Sequence, residues 1–170
     1  LAKYYYPGGH DITEKGYDFP LQRTQELMQQ ENVVIFEAAI QFNNFFIRVD
    51  ILEKVGNQIN LIEVKAKSFD GNGASSFTNK SGYIDSKWNP YLQDVAFQKY
   101  VTQKAFPNYL VNVYLMLADK SKTSSENGLN QLFKIKTSPN GRKYTEVQAG
   151  VDSERLGSQI LTAVNVDHLA

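Results

Sequence analysis

Three consecutive runs rich in β-branched, aliphatic and aromatic residues, joined by two very short turns, constrain this chain more than any other feature. They are residues 33–42 (VVIFEAAIQF), 45–54 (FFIRVDILEK) and 58–66 (QINLIEVKA). Asn43-Asn44 separates the first two, and Val55-Gly56-Asn57 the second and third. Asn and Gly tolerate the positive φ that tight hairpin turns need, so the pattern predicts an antiparallel three-stranded meander. Such a sheet must bury its apolar face against another layer. Two helices are predicted to supply it: one over 21–30 (LQRTQELMQQ), and one over 90–105, opened by Pro90. Residues 109–117 (YLVNVYLML) read as a buried strand beyond that second helix, and 67–89 as a long loop holding Gly71, Gly73 and Gly82. Val147, Val151, Leu156, Ile160, Leu161 and Val164 fall near helical spacing, which predicts a closing helix over about 146–164 and makes 144–170 a C-terminal helical extension. The fold class is therefore α/β: a mixed sheet, three strands antiparallel and one added beyond a crossover helix, in a single domain of 170 residues.

Composition excludes several chemistries. With no cysteine, this stretch cannot hold a disulfide, a zinc–thiolate site or an iron–sulfur cluster, and has no cysteine nucleophile. His10 and His168 lie near opposite ends, a poor basis for a Ser-His-Asp triad or a histidine-rich metal site. Eighteen basic residues balance eighteen acidic ones, so no overall basic charge announces a nucleic-acid binder. The balance is uneven along the chain: residues 120–143 carry six basic groups against Glu126 alone, a local +5. That stretch reads either as a phosphate-facing surface or as a solvated lysine-rich loop, and charge alone favours the loop. No run is apolar enough to cross a membrane. The chain starts at Leu1 with no signal-peptide pattern, which predicts a cytoplasmic domain of something longer, with the rest of its own chain as a partner.

The charged residues inside the strands carry the chemistry. With period-two alternation, Ile47, Val49 and Ile51 share one face of the second run, and Arg48, Asp50 and Leu52 the other. In the third run Ile62, Val64 and Ala66 share one face, and Leu61, Glu63 and Lys65 the other. Glu37 falls among Val33, Ile35 and Ala39, an awkward place for a charge. Carboxylates on adjacent strands can converge on one hard divalent cation, and a lysine beside them can counter charge developing on a phosphate. The alternative is a cross-strand salt bridge on a solvated sheet face, which the charge pattern alone favours.

The exact strings shift that balance. Asp50, then Glu63-Val64-Lys65 after a hairpin, resembles the PD-(D/E)XK nuclease superfamily, whose restriction-endonuclease-like core also runs helix, three antiparallel strands, helix, strand. Tyr6-Pro7-Gly8-Gly9, Ile35-Phe36-Glu37-Ala38-Ala39, Arg48-Val49-Asp50-Ile51-Leu52, Leu61-Ile62-Glu63-Val64-Lys65 and Asp94-Val95-Ala96-Phe97-Gln98 together look like its RecB-like, CRISPR-exonuclease-like branch, found at the front of larger bacterial proteins. The resemblance spans most of residues 3–165. It implies an Mg2+- or Mn2+-dependent deoxyribonuclease, with exonuclease action in DNA repair, recombination or defence and DNA as partner. Asp50 and Glu63 would be metal ligands, with Glu37, which matches a further acidic position, as a third, and Lys65 would assist the attacking water. The branch carries Gln-x-x-x-Tyr on its later helix, whereas here Gln98 is followed by Thr102, so Asp94 and Gln98 at i and i+4 form the alternative frame. His10 does not match the histidine that relatives use as an extra ligand.

Two other functions remain open on the sequence. One is a nuclease-like fold that only binds nucleic acid or a protein partner. The other is a metal-free structural domain whose sheet charges pair with each other. The 67–89 loop alternates Phe69, Phe77, Tyr83 and Trp88 with Lys67, Lys80 and Lys87, a composition suited to single-stranded nucleic acid. The simpler expectation is that these aromatics tuck the loop onto the domain.

Overall fold

The computed structural model describes residues 1–71, 77–139, 141 and 143–170. Gly73 of the expected loop and Arg142 of the basic stretch lie outside them. The elements are strand β1 (His10–Asp11), helix α1 (Asp18–Leu27), strands β2 (Asn32–Phe42), β3 (Phe45–Val55) and β4 (Gln58–Phe69), helix α2 (Asn89–Ala105), and strands β5 (Leu110–Asp119), β6 (Phe133–Thr137), β7 (Lys143–Val147) and β8 (Leu161–Asn165). The meander, both helices and the fifth strand form where the sequence places them, although α1 starts three residues early, at Asp18. The architecture is α/β, a mixed six-stranded sheet with two helices.

The sheet runs β1-β2-β3-β4-β5-β8, and β6 and β7 form a separate hairpin. β2–β3, β3–β4 and β5–β8 are antiparallel; β1–β2 and β4–β5 are parallel, and α2 makes the β4-to-β5 crossover. One face packs Leu92, Val95 and Val101 of α2 and Leu27 of α1 against Ile35, Val49, Leu61 and Val113, all almost fully buried. Each such side chain contributes roughly 1.5–3 kcal/mol. Ala2, Tyr5 and Tyr6 cover the other face over Phe36, Ile51, Ile62 and Met116. Thr24, fully buried on α1, accepts the Ala39 N–H (2.9 Å) and ties the helix to β2. Lys54, buried on β3, donates to the carbonyls of Gln30 and Glu31 just past that helix.

The closing helix over 146–164 does not form, and 144–170 is not a helical extension: it holds β7, turns and β8. Gly150 (φ 75) and Gly157 (φ 63) take left-handed conformations that interrupt any helix there. Leu161–Asn165 instead completes the sheet, pairing Leu115 with Val164 and Leu117 with Thr162. Of the 67–89 aromatics, Phe69, Phe77 and Trp88 turn into the core, and Tyr83 stays 74% exposed. The loop thus spends three of its four rings on packing.

Strand alternation also departs from strict period two. Leu52 is buried with Ile47 and Val49 on the helix side, while Ile51 faces the other way, so Ile47, Val49 and Ile51 do not share a face. β2 does the same: Ala38 and Ile35 lie helix-side, and Phe36 opposite. Both inversions fall at the opposed residues Glu37 and Asp50, the one gap in the β2–β3 register between Asn32↔Val55 and Phe42↔Phe45. Glu37 has φ 58, a left-handed conformation a non-glycine residue rarely adopts, and it turns the strand over.

Candidate metal and phosphate site

The β3–β4 ladder runs from Val55↔Gln58 to Ile51↔Ile62 and then ends. Asp50 and Glu63 are the next residues along, where the strands part. In the gap, the Val64 backbone N–H donates to Asp50 Oδ2 at 2.7 Å, so a side chain occupies the place of a ladder partner. β4 then loses register with β5 between Val64 and Ser68, which carries Lys65 and Lys67 off the regular ladder.

Glu63 stands on the helix side and is 8% exposed. Gln98 Nε2 of α2 donates to its Oε2 at 2.8 Å, and Lys65 Nζ pairs with its Oε1 at 2.5 Å. Lys65 also pairs with Asp94 Oδ2 at 2.9 Å, and its ammonium lies 5.7 Å from the Tyr91 ring centroid. Asp94 and Gln98 thus act from one face of α2 on the two charges of the Glu63-Val64-Lys65 string. Gln98 is 5% exposed, and its Oε1 is buried with no hydrogen-bond partner among the described residues.

Asp50 opens to the opposite side. It lines a cavity of about 780 Å3 together with Glu37, Phe36, Ile51 and Val64. Burial pushes its carboxyl up to about 6, the negative charges of Glu63 and Glu37 push in the same direction, and the Val64 N–H and Lys65 pull back. Burial works against the Lys65 ammonium, but its bonds to Glu63 and Asp94 outweigh that and hold it above the ordinary lysine range.

The sequence-predicted residues therefore divide. Glu63, Lys65, Asp94 and Gln98 form one hydrogen-bonded network, and Asp50 stands beside it within electrostatic reach of Glu63. Glu37 does not join them as a third ligand: its carboxylate faces Arg48 Nε at 3.9 Å, and Arg48 is itself anchored to the Ile12 carbonyl at 2.8 Å. Among the described residues, no three His, Cys, Asp or Glu side chains gather into a group that could hold a metal ion. What the site offers a cation is Asp50, which burial and the charge of Glu63 hold back from ionising, on one side of the strand gap, and on the other Glu63, its oxygens engaged by Lys65 and Gln98, with the unpartnered Gln98 oxygen. Hard oxygen donors of this kind suit Mg2+ or Mn2+, which are usually held by only one or two carboxylates.

The cavity has a wall that the sequence did not point to. Tyr4 and Phe133 line it with rings 6.1 Å apart, edge to face, as do Thr145 and Val147 of β7. The alternation Phe133-Lys134-Ile135-Lys136-Thr137 carries the signal of this hairpin, but its lysines read more readily as a charge run. No helix is long and apolar enough to cross a membrane among the described residues. Compared with protein-family models, curated proteins and solved structures, the chain matches none.

Proposed function

We propose that this chain is a metal-dependent deoxyribonuclease domain of the PD-(D/E)XK type, hydrolysing phosphodiester bonds of DNA. The observation that carries it is the placing of Asp50 and Glu63 at neighbouring positions, within electrostatic reach of each other, where β3 and β4 part, with Lys65 two residues along β4. The order of helix, three antiparallel strands, helix and parallel strand supports the same reading. Mg2+ or Mn2+, held by Asp50 and Glu63, would supply a bound water acidic enough to attack a phosphate at neutral pH.

The chain's own residues do the rest. The Val64 N–H fixes the Asp50 carboxylate in the strand gap. Gln98 fixes that of Glu63, so neither acid has to be ordered when substrate arrives. Lys65 stays cationic at any physiological pH and can offset negative charge building on the phosphoryl oxygens. Asp94 holds the ammonium from the α2 side and keeps it beside Glu63.

Calorimetric Mn2+ titration, run with cleavage of end-labelled DNA, tests the proposal. Wild type should bind Mn2+ and cut; Asp50→Ala and Glu63→Gln should lose both. A second reading, a nuclease-like fold that only binds nucleic acid, is favoured by the capture of Lys65 between Glu63 and Asp94. A wild-type protein that binds DNA but never cuts it in Mn2+ would select that reading.

A further inference from the structure

The cavity over Asp50 has a chemical character that narrows what it takes. It lies between the N-terminal segment and the β6–β7 hairpin, and its volume, about 780 Å3, is that of a small-ligand cleft. Its walls carry the carboxylates of Glu37 and Asp50, the Lys3–Asp11 ion pair (2.7 Å), and the rings of Tyr4, Phe36 and Phe133.

The hairpin register decides which of its faces looks in. Phe133 pairs with Val147 and Ile135 with Thr145, and Phe133, Val147 and Thr145 all line the cavity. By alternation, Lys134, Lys136, Tyr144 and Glu146 lie on the opposite face. Lys134 and Glu146 indeed line a different cavity, and Lys136 pairs with Glu146 at 3.5 Å. Lys134 and Lys136 are therefore turned away from the acids, and the face turned toward them carries Phe133, Thr145 and Val147, with Lys143 at its far end by the same alternation.

Resting on the nuclease reading above, we infer that Phe133 and Tyr4 form a stacking wall for an unpaired nucleobase, so that the strand presented to Asp50 is single. A paired base in a duplex shows a protein its edges, with its faces already stacked on neighbours; only an unpaired base has a face to offer a ring. Phe133 is half-buried and meets Tyr4 edge to face at 71°, which fixes its ring while leaving part of it on the cavity. Stacking is indifferent to base identity, so the wall selects strandedness and not sequence.

The test uses a fluorescein-labelled oligothymidine and a blunt duplex of the same length, bound in Ca2+ and read by anisotropy. The single strand should bind at least about tenfold more tightly than the duplex. Phe133→Ala should weaken single-strand binding by about tenfold, Phe133→Leu by a similar factor with apolar packing retained, and Phe133→Tyr should restore it. Lys134→Ala with Lys136→Ala should change it less than about twofold, since neither lysine faces the cavity. Equal affinity for duplex, no binding of either probe, or indifference to all three Phe133 variants overturns the inference. The two failures separate cleanly. Cleavage in Mn2+ without strand preference overturns the stacking wall alone. Phe133-dependent single-strand binding without cleavage or Mn2+ uptake supports the wall and removes the nuclease.

Discussion

Replacing Asp50 by Asn should make the protein more stable at neutral pH, an unusual outcome for a half-buried, hydrogen-bonded side chain. Its carboxyl is pushed from 3.8 up to about 6 by burial and by the charge of Glu63. The folded state thus holds this proton more tightly than the unfolded chain does. Between those two values folding takes up a proton, so stability falls as pH rises from 4 to 6 and stays low above it. About two units at ~1.4 kcal/mol each give a penalty of roughly 3 kcal/mol at pH 7.5. Asn keeps an oxygen for the Val64 N–H and carries no charge, but its own N–H groups must be desolvated at a cost of ~1 kcal/mol. The net gain is about 2 kcal/mol, or ~4–8 °C in Tm for a chain of this length. Urea denaturation of both proteins at pH 7.5, 6 and 4.5 measures it. The gap should shrink towards zero at the lowest pH. Excess Mn2+ should reverse the order at pH 7.5, because a ligand at a hundred times its Kd stabilises the wild type by ~2.7 kcal/mol. An Asn variant less stable than wild type at pH 7.5, or a gap that ignores pH, would refute the electrostatic account of the strand gap.

The remaining expectations concern the network around Asp50. Lys65→Ala should abolish turnover with little change in DNA affinity, because an interaction made mainly in the transition state lowers kcat; single-turnover cleavage at saturating DNA reads this. Gln98→Leu leaves the buried Glu63 carboxylate short of a donor and should cost about 1–3 kcal/mol in urea denaturation. Glu37→Gly relieves the left-handed conformation, loses only a partly exposed ion pair and should leave Tm unchanged or slightly raised. Glu37→Val should lower it by several degrees, since a β-branched residue tolerates that φ worst.

Much of the fold was readable because its signals are local. Asn43-Asn44 and Gly56-Asn57 sit between strands of matching length, and Pro90 opens a helix with Leu92, Val95 and Val101 on its inner face. That Asp50 and Glu63 fall at neighbouring positions of adjacent strands, with Lys65 two residues on, was readable too, since the hairpin sets the register; that Asp50 opens to the face away from Glu63 and Lys65 was not. The paired inversion at Glu37 and Asp50 was not. It depends on one residue's backbone dihedral and on where a ladder ends, neither of which leaves a mark in side-chain periodicity. For the same reason Glu37 was grouped with the metal ligands, although its carboxylate turns to Arg48. The 146–164 segment misled through apolar residues three to five apart, a spacing that turns at Gly150 and Gly157 also produce. The loop aromatics could be sorted only by the core that receives them: Trp88 is 2% exposed and Tyr83 is not, with nothing in the sequence to tell them apart.

The inversion of β2 and β3 has a consequence for how this domain tolerates change. In an ordinary strand, a saturation mutagenesis scan returns alternating sensitive and permissive positions. Here the sensitive helix-side positions should run 33, 35, then 38, 40 in β2, and 47, 49, then 52 in β3, the rhythm skipping a beat at the same level in both strands. Shortening either strand by one residue there would restore its own rhythm and put it out of phase with its neighbour. The two strands can therefore drift in side chain but not in length, and Glu37 and Asp50 form a hinge in the sequence that only a change in both strands together can move.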